Sequence, residues 1–230
     1  MPNARFARYI LRTTEVSGAR AFYQDVLGLH GDYALPLHEQ ALARGARPHW
    51  LGHIEVADPA AAAAPLLAAG GQQLGERPDG VVVLRDPGGA LLALGGVHTL
   101  LAGRAARFDA ASKTSVVYHV LRARNADGLA ALYAELFGWS LGERFALSHG
   151  EQYRAFAFQA GEPSVGAVGE LSAGVHPQWL FFFAVDSLAD AVAKVREHGA
   201  VVIGPSTLPS GAQCAVCDDP QGAAFGMMQR

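Results

Sequence analysis

The sequence has little of what several kinds of protein require. Two cysteines in 230 residues exclude a disulfide framework. Charged residues make up only 17% of the chain and the formal net charge is −3. No long run of Lys or Arg occurs, so neither nucleic acid nor an anionic membrane is an expected partner. The longest apolar run, Ala60–Ala69, is interrupted by Pro65 and is too short to cross a bilayer. The opening Met1-Pro2-Asn3-Ala4-Arg5 leads into a strand-like segment without the apolar stretch of a signal peptide, so a cytoplasmic location is expected. The glycine pairs Gly70-Gly71, Gly88-Gly89 and Gly95-Gly96 lack the spacing of a phosphate loop and read as turns. Half of the residues are hydrophobic, enough for one large domain or two small ones with their own cores.

The chain contains an internal repeat. Ala21-Phe22-Tyr23-Gln24-Asp25-Val26-Leu27-Gly28 matches Ala131-Leu132-Tyr133-Ala134-Glu135-Leu136-Phe137-Gly138 at an offset of 110. Pro48-His49-Trp50-Leu51 matches Pro177-Gln178-Trp179-Leu180 at 129, and Asp86-Pro87-Gly88-Gly89-Ala90 matches Asp219-Pro220-Gln221-Gly222-Ala223 at 133. Three landmarks in one order indicate duplication. The offset grows by 19 residues between the first two landmarks, about a hairpin of extra chain in the second copy.

Each copy reads as a strand (Arg8–Thr14, Val116–Ala123), then an amphipathic helix (Ser17–Leu27, Asp127–Phe137) with apolar residues at helical spacing. Gly28 and Gly138 stop these helices. A middle strand follows (Trp50–Val56, Trp179–Val185), then a second helix (Pro59–Ala69, Leu188–His198) with Asp58 and Asp186 placed to cap it. A strand pair around an Asp-Pro-x-Gly turn closes each copy (Val81–Arg85 with Ala90–Leu94, Gln213–Cys217 with Ala223–Met228). The second copy adds strands at Leu141–Leu147 and Tyr153–Gln159 around a Ser148-His149-Gly150 turn. The first copy has a short helix within Pro36–Ala46 instead. The expected fold class is α+β, two βαβββ modules at 1–98 and 116–230 joined by a linker at 99–115, with curved mixed sheets and helices on their outer faces.

The order strand, helix with Phe-Tyr…Leu-Gly, strand, helix, strand, Asp-Pro-x-Gly, strand resembles the vicinal-oxygen-chelate superfamily of glyoxalases, bleomycin-resistance proteins and extradiol dioxygenases. Tyr118-His119-Val120-Leu121 with Tyr133…Phe137-Gly138-Trp139 most resembles its two-module glyoxalase-like branch. The resemblance covers both modules and implies a fold enclosing a small-molecule pocket. It does not imply one reaction, because lyases, isomerases, dioxygenases and drug-binding proteins share the scaffold. Metal-dependent relatives hold a divalent ion with His, His or Gln, and Glu on three strands. By the resemblance, the first slot lies fourteen residues before the Phe of Phe-Tyr, where this chain has Arg8 and Tyr118. The second opens the middle strand, at Leu51 and Leu180. The third lies seven residues past the turn Asp, at Ala93 and Gly226. These side chains are poor ligands for a divalent ion, so no cofactor is expected, a divalent metal being the alternative.

Strand alternation supplies the candidate ligand-binding residues. Tyr118 and Arg122 share a face with the first slot, as does Arg12, the repeat equivalent of Arg122. A guanidinium there can hold a carboxylate, enolate or phosphate, or else pair with a neighbouring acid. His53 and Glu55 share a face of the middle strand and suit general-base work or ligand hydrogen bonding; an Arg8–Glu55 or Arg12–Glu55 ion pair is the plainer reading. His119 stands one residue from the first slot, so it faces the helices unless a bulge turns it inward. Cys214 and Cys217, three apart on a strand, face opposite sides and read as small apolar residues. The sequence favours a metal-independent protein binding a small organic molecule, with a homodimer possible. A lyase or dioxygenase with a rearranged site on His119, His53 or Glu55 is the alternative, and an accessory module working through a partner protein is a third reading.

Overall fold

A computed structural model describes residues 4–96, 115–147 and 150–230. The linker expected at 99–115 and the turn at Ser148-His149 lie outside the described residues, apart from Ser115. The first repeat runs β1 (Arg5–Thr13), α1 (Val16–Leu27), β2 (Ala34–Pro36), α2 (Glu39–Ala43), β3 (His49–Val56), α3 (Pro59–Ala68), β4 (Gln72–Glu76), β5 (Val82–Arg85) and β6 (Leu91–Gly96). The second runs β7 (Val116–Ala123), α4 (Ala126–Phe137), β8 (Ser140–Ala146), β9 (Gln152–Ala157), β10 (Gly166–Glu170), β11 (Gln178–Val185), α5 (Leu188–Glu197), β12 (Val201–Thr207), β13 (Gln213–Asp218) and β14 (Ala224–Gln229). The fold is α+β, with curved mixed sheets ordered β2-β1-β3-β6-β5-β4 and β12-β13-β14-β11-β7-β10-β9-β8.

The extra chain of the second repeat is the β8–β9 hairpin. In both repeats a short strand runs parallel to the first: Ala34 lies beside Leu11 on β1, and Val168 beside Leu121 on β7. Leu11 and Leu121 are equivalent at the offset of 110, so β2 and β10 correspond and only the hairpin is new. Neither β2 nor β10 was expected from the sequence, nor were β4 and β12. Asp58 caps α3 through Ala60 and Ala61, at 3.0 Å each. The cap of α5 is Ser187, bonded to Asp190 N at 3.2 Å, rather than the expected Asp186; the turn enters one residue later and a hydroxyl serves the helix N-terminus as well as a carboxylate does.

The described chain divides into two compact units, and each draws on both repeats. The first contains residues 4–8, 52–96 and 119–179; the second contains 9–51, 115–118 and 180–230. In the first unit α3 packs beside α4. Its core is an aromatic cluster: Trp139 stacks on Phe156 at 4.7 Å and on Tyr133 at 5.4 Å between centroids, and Trp179 sits edge-on to both Trp139 and Phe156. In the second, α1 packs beside α5, and Phe22, Tyr23, Trp50 and Phe225 form the equivalent cluster.

The three landmarks of the repeat meet in space, one set in each unit. Tyr23 on α1 donates to Asp219 Oδ2 at 3.2 Å and accepts from Trp50 Nε1 at 2.9 Å. Tyr133 on α4 donates to Asp86 Oδ2 at 3.0 Å, with the Trp179 indole edge-on at 5.7 Å. Each triad therefore takes its Tyr and Trp from one repeat and its Asp from the other. The same carboxylates close the Asp-Pro-x-Gly turns, accepting from Ala90 N at 2.9 Å and Ala223 N at 2.8 Å. Gly89 and Gly222 adopt φ of 100° and 88° there, a region glycine enters without steric cost. Burial outweighs these donors and holds the Asp86 carboxyl up at about 6.

Candidate ligand-binding site

The first unit holds His53, Glu55, His119 and Arg122, with Arg8 at the end of its first segment. On β3, His53 is buried at 2% exposure and lies level with Ala93 on β6, which in turn faces Val83 on β5. Glu55 lies level with Gly95 and is half-buried. Among the described residues neither Glu55 nor Arg8 forms an ion pair, so the expected Arg8–Glu55 and Arg12–Glu55 pairs are absent. Arg8 on β1 is half-buried, and its Nε is shut off from solvent with no hydrogen-bond partner. The charges acting on Arg8 are Arg77, just past β4, and Asp79; burial first and Arg77 second lower its pKa. Asp79 is already engaged, its Oδ2 3.1 Å from Arg77 Nη2 and its Oδ1 accepting from Val81 N at 3.3 Å.

On β7, Arg122 forms a closed network. Its Nη1 and Nη2 reach Glu151 Oε2 at 2.7 Å and Oε1 at 2.9 Å. It also donates to the hydroxyls of Tyr153 and Ser172, and both hydroxyls donate to Glu151, at 2.8 and 2.6 Å. The guanidinium lies over the Tyr153 ring, 5.3 Å from its centroid. Arg122 is the main cause of a Glu151 carboxyl held down at about 2. Of the two partners the sequence leaves open for Arg122, a ligand anion or a neighbouring acid, Glu151 is such an acid, and the network ties β7 to β9 and to the chain after β10.

His119, three residues before Arg122 on β7, is directed into the aromatic cluster. Its ring stacks on Phe6 at 4.9 Å with an interplanar angle of 10°, sits edge-on to Phe158, and places Nδ1 2.9 Å from the Val165 carbonyl. Burial pushes its pKa down to about 4, so it is neutral at physiological pH.

The second unit carries the apolar counterpart. Tyr118, at the first slot of the second repeat, meets Phe182 edge-on at 6.1 Å. Phe182 lies level with Gly226 on β14, and a Cβ at Gly226 would overlap its ring. The space of the third slot is thus filled by Phe182, and Leu180 is buried nearby on the same strand. Arg12, half-buried on β1, directs Nη1 to the Pro36 carbonyl at 3.4 Å. A shallow depression of about 230 Å³ between the end of α1 and the following loop involves Arg20, Asp32 and Tyr33, but none of the sequence candidates lines it. Cys214 and Cys217 are buried free thiols.

Residues 118–228 match the family model of a glyoxalase-like domain. Over 95% of its length the chain is 27% identical to "Putative glyoxylase CFP32" of Mycobacterium bovis and of Mycobacterium tuberculosis, covering 92% of each. Among solved structures it resembles the 2,3-dioxygenase LapB of Pseudomonas sp. KL28, at a TM-score of 0.65 and 16% identity over 100% of this chain and 93% of that one. It also resembles 2,2',3-trihydroxybiphenyl 1,2-dioxygenase of Sphingomonas wittichii RW1, at 0.66 and 11% over 99% and 91%. These likenesses support the vicinal-oxygen-chelate superfamily. The superfamily's divalent ion does not fit the residues present. In the second repeat a phenol, a hydrocarbon and a hydrogen atom stand in the slots, with Phe182 over the last; in the first, Arg8, Leu51 and Ala93 do. Among the described residues no group of three His, Cys, Asp or Glu side chains could hold a metal, and no helix is long and apolar enough to cross a membrane.

Of the six sequence candidates, the first unit holds His53, Glu55, His119 and Arg122, and the second holds Arg12 and Tyr118. His53 and Glu55 share one sheet, whereas His119 and Arg122 lie on another and engage separate networks. Sequence reasoning missed Arg77 and Asp79, which follow a strand without apolar alternation. It noted Arg8 as a lost metal ligand and as an ion-pair partner for Glu55.

Proposed function

We propose that this protein binds a small organic molecule on the concave face of the first-repeat sheet, at Arg8, His53 and Glu55, without the divalent metal of its relatives. The observation that carries the reading is the contrast between the repeats. In the second, Tyr118 and Phe182 occupy the slot region with their own rings; in the first, the equivalent places hold Arg8 and His53, with Ala93 level with His53 and Gly95 level with Glu55. A face with charged and hydrogen-bonding side chains over a floor of small residues has the make-up of a ligand site rather than of a packed core. Another structural neighbour, at a TM-score of 0.63 and 14% identity, is named catechol 2,3-dioxygenase, which suggests catechol as a first probe. The alternative of a rearranged enzyme drew on His119, His53 or Glu55; the stacked, hydrogen-bonded environment of His119 leaves that reading to His53 and Glu55.

Two measurements test the reading together. Elemental analysis of protein purified without chelators is expected to give no stoichiometric divalent metal; about one ion per chain would overturn the metal-free part. Titration with catechol, other phenols and small organic acids, followed by NMR, is expected to shift resonances of Arg8, His53 and Glu55 in a saturable way. A response confined to other residues would overturn the location.

A further inference from the structure

We infer that two copies of this chain pair through β12, the outer strand of the second-repeat sheet, antiparallel and centred on Val202, independently of the ligand-binding reading above. Three observations converge on it. The first is the make-up of the edge. β12 has a neighbouring strand on one side only, β13, so alternate residues turn their backbone N–H and C=O groups away from the sheet. Ile203 and Val201, at 64% and 54%, are the two most exposed large hydrophobic side chains among the described residues, and two apart on a strand they share a face. Charged side chains are a common protection of a free edge, yet the sequence from Gly199 to Cys217 contains no Asp, Glu, Lys or Arg.

The second is the contrast with the same edge of the first repeat. At the offset of 129 that relates Trp50 to Trp179, Gln72-Gln73-Leu74-Gly75-Glu76-Arg77 corresponds to Val201-Val202-Ile203-Gly204-Pro205-Ser206. β4 and β12 are each outermost in their sheets, and each shifts register in its middle, between Gln73 and Gly75 and between Ile203 and Ser206. The two strands therefore hold one position in the fold. β4 meets water there with two amides, a carboxylate and a guanidinium; β12 has two valines, a proline and a serine in their places. An edge left in water gains nothing from that exchange, whereas an edge covered by a partner buries apolar surface.

The third is self-complementarity. The other sheet edges among the described residues do not match β12: β2 has three residues and ends in Pro36, β4 is polar, and β8 carries Glu143 and Arg144. A second β12 does match, because two identical uncharged strands about a two-fold axis bring no like charges together. Pro205 has no N–H to offer, and the register shift begins after Ile203. The free run is therefore Val201–Ile203, with Val202 on the axis, and Val201 of each copy stands opposite Ile203 of the other. Ile203, Val216, Gly226 and Phe182 lie level with one another across the sheet, so the pairing prolongs an apolar row from one copy into the next. A ladder this short covers much less than the roughly 800 Å² per partner of a standard interface, so a weak dimer is expected, with a Kd on the order of 100 μM.

The test is sedimentation of the full chain over about a hundredfold range of concentration around that value. A reversible monomer–dimer equilibrium is expected. Val201→Lys and Ile203→Glu are each expected to weaken it by roughly tenfold or more, because each sets a charge against an apolar side chain of the partner. An equimolar mixture of the two variants should regain the dimer, since the introduced ammonium and carboxylate then face each other across the axis. Leu74→Lys, at the equivalent place on β4, should leave it unchanged. Thermal melts show that each variant is folded, and Ile203→Ser, expected to weaken the dimer less, takes the place of Ile203→Glu should that variant fail to fold. A chain that stays monomeric over the whole range, a dimer that neither substitution weakens, or a mixture no tighter than either variant alone overturns the inference. So does a monomer in which catechol shifts the backbone amide signals of Val201 to Ile203, which assigns the apolar edge to a small ligand instead.

Discussion

Removing one oxygen atom tests how the two repeats are held together. Tyr23 is fully buried, and its hydroxyl is the acceptor for the Trp50 indole N–H at 2.9 Å and the donor to Asp219 Oδ2 at 3.2 Å. Asp219 is itself 4% exposed, and its Oδ1 is taken by Gln221 N and Ala223 N. Tyr23→Phe keeps the ring and its packing but strips the donor from a buried carboxylate and the acceptor from a buried N–H. A hydrogen bond to a charged group contributes about 1.5–3 kcal/mol, and stranding a buried polar group costs about 1–3 kcal/mol. The two losses share one atom and do not add in full, so the expected destabilisation is about 3–4 kcal/mol. For a chain of this size that lowers Tm by roughly 6–16 °C. Urea unfolding at pH 7 measures the free energy, and the Tyr23→Phe/Asp219→Asn double variant measures the coupling. The deficit should shrink as pH falls and the carboxyl takes up a proton, because the lost bond is then no longer charge-assisted. A loss below about 1 kcal/mol at pH 7, or a deficit independent of pH, would refute the assignment of the triad as a tie between repeats.

Other consequences can be measured on the same material. His119 has its folded pKa lowered to about 4, so the unfolded chain binds this proton first. Stability should fall as pH drops from about 6.5 through 4, by up to about 3 kcal/mol, and His119→Phe should remove that dependence in equilibrium unfolding curves. Glu151, held down at about 2 chiefly by Arg122, contributes stability above its unfolded pKa that is lost as pH falls through about 2; Glu151→Gln should flatten the acid limb below pH 4. Gly226→Ala sets a methyl against the Phe182 ring and should destabilise by about 1–3 kcal/mol, as overpacking does. Adding Phe182→Leu should recover part of that loss, and no recovery would place the strain elsewhere.

How much of this was legible depended on whether a residue's role is written in its own neighbourhood. The repeat was visible because Tyr, Trp and Asp recur at set offsets, and those three turn out to be the hydrogen-bonded triads. The exchange of partners between repeats was not visible, since an offset carries no information on which Asp a Tyr meets. β4 reads Gln72-Gln73-Leu74-Gly75-Glu76 and is exposed throughout, so it has no alternation to find; β10 is Gly166-Ala167-Val168-Gly169-Glu170, too poor in large side chains to stand out. Alternation correctly separates Tyr118 from His119 on β7. It could not foresee that Glu151 and Ser172, 29 and 50 residues beyond Arg122, would close around the guanidinium. Arg8 was read as a lost metal ligand or an ion-pair partner of Glu55, and its spacing from Phe22 gives no sign that Arg77 and Asp79 are the charges acting on it.

The division of each compact unit between the repeats also orders events during synthesis. Asp86 and Tyr133 are 47 residues apart, whereas Tyr23 waits for Asp219 at a separation of 196. The first unit can close once residue 179 has left the ribosome. The second needs α5 and β14, made late, to complete the cover of α1, made early. Until then the face of α1 with Phe22, Tyr23 and Val26 has only the cover its own repeat supplies, Tyr33 and Trp50 against Tyr23. A chain released before β14 is made leaves Phe22 and Tyr23 without Phe225, the aromatic partner they share.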